Sequence, residues 1–154
     1  MQTNGNPNDL NTPDHPYNLQ RFVEAQVATF SQARAELLAG QKQSHWMWFI
    51  FPQIKGLGSS PISIRFAISS LEEAKTYLNH PLLGPRLIDC TQLVFTHPDR
   101  SAHQIFGSPD DLKFHSSLTL FACAADQHAP FRRALQKFFA GNEDSATLRI
   151  LHTP

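Results

Sequence analysis

The chain has 154 residues, 41% of them hydrophobic, with 13 basic and 13 acidic side chains and a formal net charge of zero. That length predicts one domain, able to bury roughly 70% of its unfolded surface without a metal or disulfide staple. Balanced charge argues against a dedicated nucleic-acid binder, an acidic tail or a polybasic membrane surface. Cys90 and Cys123 form no CxxC pairing, so reduced buried thiols are the default and a disulfide between them stays open. The opening MQTNGNPNDLNTPDHPYN has neither a basic nor an apolar signal region, and the longest apolar run, WMWFIF, falls far short of the ~20 residues of a membrane span. A cytoplasmic protein without a membrane partner is expected.

Residues 1 to 16, rich in Asn, Pro and Thr with almost nothing to bury, read as a mobile arm before a helical domain over 17 to 152. From Leu19 the period becomes helical: Leu19, Phe22, Val23, Val27, Phe30, Ala33, Leu37 and Leu38 fall on one stripe, and Gly40 suits the end. HWMWFIF is ambiguous, because an unbroken apolar run fits a strand or a buried helix; its helical surroundings favour a short central helix capped by Ser44 and stopped at Pro52. Ser60 and Pro61 mark another start, as do Ser70 and Glu73 in capping-box spacing. Pro81 is expected at N1 of a helix burying Leu83, Leu87, Cys90 and Val94, with His80 closing its start. Ser108-Pro109 followed by Asp110 and Asp111 opens a helix carrying Phe114, Leu118 and Phe121. Phe131, Leu135, Phe138 and Phe139 give a further helix ending at Gly141, and residues 145 to 151 a final turn. No alternating strand pattern or internal repeat is present. The fold class is all-α, a single multihelical bundle-like domain.

Four ordered blocks, YNLQRFVEAQ, SHWMWFIFPQIKGLGSS, EEAKTYLNHPLLGPRL and IFGSPDDLKFHSSLTLF, make the chain resemble domain of unknown function 1810, a bacterial family often labelled calpastatin-like, over residues 17 to 151. The resemblance implies an all-helical fold and no established activity. Phe66 stands where a tyrosine is more usual in that family, and Phe114-His115 where Leu-Arg is common. A calpain inhibitor of the calpastatin kind would be repetitive and disordered, whereas this chain is aromatic-rich, capped and free of repeats.

The chemistry concentrates around SHWMWFIFPQIKGLGSSP. Gly56 and Gly58 let backbone N–H groups converge before a helix start, Ser59 adds a hydroxyl, and Lys55 adds a point charge. No strand precedes the loop and GK[ST] is missing, so it is no P-loop, and a serine-capped turn explains the same residues. His45 and Gln53 flank the aromatic run, and Trp48 offers a stacking face and an indole N–H. Lys113, Ser116 and Ser117 form a polar cluster on a helix otherwise suited to burial, where hydroxyls usually bond to the carbonyl four residues back. Together these ten residues, His45, Trp48, Gln53, Lys55, Gly56, Gly58, Ser59, Lys113, Ser116 and Ser117, describe a pocket for a small anionic or nucleotide-like metabolite. Arg86 is expected in an ion pair with Glu73. His45 is the candidate catalytic residue, as general acid or base, if a carboxylate such as Glu73 or Asp111 lies beside it. Alternatively the domain is a protein-interaction module with an exposed apolar patch. No cofactor is called for, and dispersed histidines offer no metal site.

Overall fold

Residues 17–153 are described by a computed structural model; the arm expected over residues 1 to 16 lies outside them. The described residues form nine helices: α1 (Gln20–Ala39), α2 (Met47–Ile50), α3 (Pro61–Arg65), α4 (Leu71–Asn79), α5 (Leu83–Val94), α6 (Ala102–Phe106), α7 (Asp110–Ala124), α8 (Phe131–Phe139) and α9 (Ser145–Leu151). The one extended pairing among them is a parallel bridge between Ile54 and Ile68. The all-α class implied by the sequence is the observed one.

The helix covered on all sides is α7, not the tryptophan helix. Phe114 and every residue from Ser116 to Ala122 is buried, and α4, α6, α8 and α9 pack around it. A helix apolar around its whole circumference has no solvent face and must sit inside. Phe114 meets Phe51, Phe106, Phe138 and Phe139 edge-on, tilted or stacked, with centroids 4.4–6.2 Å apart; such pairs add about 0.5–1.5 kcal/mol each beyond area burial. A second aromatic group, Phe22, Phe49, Phe66 and Tyr77, ties α1 to α2, α3 and α4.

Helix α1 ends as its glycine predicts. Gly40 has φ +81°, its N–H donates to Leu37 O (3.1 Å), and Gln41 N–H donates to Glu36 O (3.0 Å), the paired bonds of a Schellman end. The His97 ring lies on Gly40 and donates from Nε2 to Leu37 O (2.8 Å).

Three expected starts shift. Ser44 does not cap α2. Its hydroxyl and N–H donate instead to Glu36 (2.5 and 3.0 Å), and the helix begins only at Met47. Pro81 lies in the turn before α5, where His80 Nδ1 accepts from Leu82 and Leu83 N–H. Ser108 stands two residues ahead of α7, which starts after a cis Ser108-Pro109 bond. Helix α6, absent from the sequence reading, is closed by a capping box between Ser101 and Gln104.

Candidate functional site

Two buried charges shape the ground around the tryptophans. Glu36 is 6% exposed and pairs with no cation among the described residues. Five donors turn to it: Gln43 and Ser44 N–H, the Ser44 hydroxyl, Trp46 Nε1–H and the Gln32 amide, at 2.5–3.0 Å. Burial disfavours the charge, but the donors outweigh burial and hold the carboxyl at about 2 against an ordinary 4.5. They also fold residues 41–46 back onto α1 and so fix where α2 starts. Glu73 accepts from Ser69 N–H and Oγ–H and pairs with Arg21 at 3.0 Å. Arg21 uses all five of its N–H donors inside the fold, on Tyr17 O, Asn18 O, Arg65 O, Ala67 O and Glu73. The expected Arg86–Glu73 pair is therefore replaced: Arg86 lies over the Phe30 ring and bonds to Gln26 Oε1.

A cleft opens between α2, the loop that follows it, α3 and α7. Its walls are Met47, Trp48, Phe51, Gln53, Ile54 and Gly58, closed by Ser63, Phe66, Ala67 and Lys113. It is narrow, with a free volume of about 10 Å³, room for roughly one ordered water. Gly58 is required there: a Cβ would stand 2.5 Å from Ser63 Cβ. Lys113 Nζ sits 5.0 Å from the centre of the Trp48 ring. Its acid, Asp110, is 3.7 Å away and holds Lys42 more closely at 2.7 Å. Among the described residues two buried side-chain polar atoms lack a partner, Trp48 Nε1 and Ser117 Oγ, and Trp48 faces the cleft. An indole N–H in that position costs on the order of 1–3 kcal/mol when unpaired.

The ten residues read from the sequence separate. Trp48, Gln53, Gly58 and Lys113 converge on the cleft. Lys55, Gly56 and Ser59 are exposed and lie outside its lining, and Lys55 N–H is engaged with Ile68 O (2.7 Å) in the bridge. Ser116 turns to Leu112 O and to Asp144, the residue that caps α9. Ser117 lies one helical turn beyond Lys113, fully buried. His45 is exposed two residues ahead of α2, and no described carboxylate pairs with it. Of the lining residues outside those ten, Met47, Phe51 and Ile54 belong to the tryptophan segment and Ser63, Phe66 and Ala67 to α3 and its end; Ser63 was readable as the N3 residue whose N–H Ser60 caps.

Cys90 is buried and pushed up to about 12 by burial, and Cys123 is half-buried; neither is in a disulfide. Among the described residues no helix is long and apolar enough to cross a membrane. The exposed large apolar side chains, Val27, Leu38, Ile64 and Leu112, stand on three different helices.

The crystal structure of the conserved hypothetical protein Rv1873 from Mycobacterium tuberculosis, at 1.38 Å, is similar over 90% of this chain and 99% of its own, with 52% identity and a TM-score of 0.88. Among curated proteins none matches. Residues 16–151 match the family model described as "Protein of unknown function (DUF1810)".

Proposed function

Because the chain belongs to the DUF1810 family, whose description assigns no activity, we propose from the cleft itself that the domain binds a small anion there. One observation carries the reading: Trp48, whose buried N–H has no acceptor among the described residues, lines the same cleft as Lys113. A negative oxygen between them would accept from the indole and neutralise the lysine, which Asp110 engages only weakly at 3.7 Å. Gln53 adds an amide to the same wall. We place the protein in the cytoplasm, where its two unpaired thiols would stay reduced.

The acid–base reading of His45 required a second ionisable group in hydrogen-bond reach. With His45 exposed outside the cleft, binding is the better-supported reading. The test is thermal unfolding against a panel of carboxylates, inorganic phosphate and nucleotides, repeated on Lys113→Met and Trp48→Phe. A ligand at about 100 times its Kd adds ~2.7 kcal/mol, roughly 5–10 °C in midpoint for a chain this size. Stabilisation by some anion that both variants abolish is the expected result. Stabilisation that survives both substitutions would place the anion elsewhere and end this reading.

A further inference from the structure

We propose that the ligand is a carboxylate monoanion with a short apolar body, and not a phosphate or phosphoester; the inference rests on the cleft being the anion site. The first argument is charge. Lys113 is the one charged side chain lining the cleft, and it is a point charge shared in part with Asp110. A phosphoester near pH 7 carries a charge of about −1.5 to −2 and three strong acceptor oxygens, and it is held by clustered cations or a cradle of backbone N–H groups. Neither is present here. Arg21 has no N–H left to give, as all five are bonded within the fold. Lys55, Gly56 and Ser59, the natural cradle, are exposed outside the lining.

Shape and polarity point the same way. A cleft with room for roughly one ordered water takes the planar end of a carboxylate with less displacement than a phosphate tetrahedron. The donor-bearing side chains among its lining residues, Trp48, Lys113 and Gln53, suit the two oxygens of a carboxylate. The remaining walls are mostly apolar: Met47, Phe51, Ile54, Phe66 and Ala67.

The apolar body has a place to go. Phe66 is also a wall of a wider groove on the α1 side of α3, of about 550 Å³, which Phe49, Pro61 and Ile62 line as well. Helix α3, which has no buried residue of its own, separates the two, with Ile62 and the buried Phe66 ring between them and the core. Arg21, Glu24 and Arg65 line that groove, and with the Arg21 donors all bonded within the fold the orientation we infer is carboxylate at Lys113, body toward Ile62. Arg65, at the rim over the Phe66 ring (5.3 Å), is the rival anchor.

The experiment is titration of the full chain with acetate, hexanoate, inorganic phosphate and AMP, following the Trp48 indole N–H resonance by NMR, assigned with Trp48→Phe. Hexanoate should shift it saturably and bind at least ten times more tightly than acetate, since each buried methylene contributes about fourfold. Lys113→Met should abolish the shift, Arg65→Gln should leave it, and Ile62→Ser should weaken hexanoate several-fold without changing acetate. Phosphate or AMP binding more tightly than hexanoate, with Lys113 still required, overturns the carboxylate class and keeps the anion site. Equal affinity for acetate and hexanoate removes the apolar body. Loss on Arg65→Gln but not on Lys113→Met overturns the placement, and no response to any anion defeats both this inference and the reading beneath it.

Discussion

Replacing Glu36 by glutamine keeps the side chain's shape and removes its charge, which isolates what the five donors contribute. A carboxyl held at about 2 instead of 4.5 corresponds to about 3 kcal/mol of native-state stabilisation at neutral pH, at roughly 1.4 kcal/mol per tenfold change in acidity. The amide retains an acceptor for the Gln43, Ser44 and Trp46 N–H groups but turns a donor toward Gln32 and the Ser44 hydroxyl. Glu36→Gln is therefore expected to cost about 2–4 kcal/mol at pH 7, a fall in midpoint of roughly 5–15 °C. The folded-state value is depressed, so the contribution is complete above about 4.5 and disappears as pH falls through about 2. Urea unfolding of both proteins at pH 7, 4 and 2.5 measures it: the two should differ most at pH 7 and converge as the wild-type carboxyl takes up its proton. A difference independent of pH, or below about 0.5 kcal/mol at pH 7, would refute the claim that charge organises this loop.

Arg21→Lys keeps the cation and loses the fork, leaving Glu73, 2% exposed, with a poorer partner; chemical denaturation should show a loss of about 2–4 kcal/mol. Gly84→Ala drives a methyl to 2.0 Å from Leu78 O, a backbone atom that cannot step aside, so α4 and α5 must separate and calorimetry should record more than about 3 kcal/mol. With Cys90 pushed up to about 12 and Cys123 also raised by burial, a thiol reagent at pH 8 should modify Cys123 alone, slowly, in the native protein, and reach Cys90 only on unfolding.

What the sequence reveals about this fold divides by the range of the deciding interaction. Gly40, Ser60, Ser70 and Gly141 act on their own helix ends, and the structure has helices ending or starting beside each of them. Ser44 looked like the same kind of signal, but its partner is a carboxylate eight residues upstream whose pull no local pattern records. Pro81 differs for a local reason: the adjacent His80 ring accepts from Leu82 and Leu83 N–H, and the helix opens at Leu83. The small helix α6 carried a legible capping box, Ser101 to Gln104, but only five residues of helix behind it. In the candidate site, Trp48, Gln53 and Gly58 were legible because they are neighbours in sequence. Joining Lys113 to them, and separating off Ser116, depends on which side of α7 faces α9, and that is decided by Asp144, 28 residues past Ser116.

Arg21 sits in the first helix, yet three of its five acceptors come from residues 65, 67 and 73. On a ribosome these partners emerge some fifty residues later, at about 5–20 residues per second. For several seconds α1 is a finished length of chain without its anchor, its apolar stripe still uncovered. When Glu73 arrives, the guanidinium docks α1, α3 and the start of α4 together. The order of synthesis thus holds this arginine open until Glu73 emerges, and Arg86 and His97 add their bonds to the same helix later still.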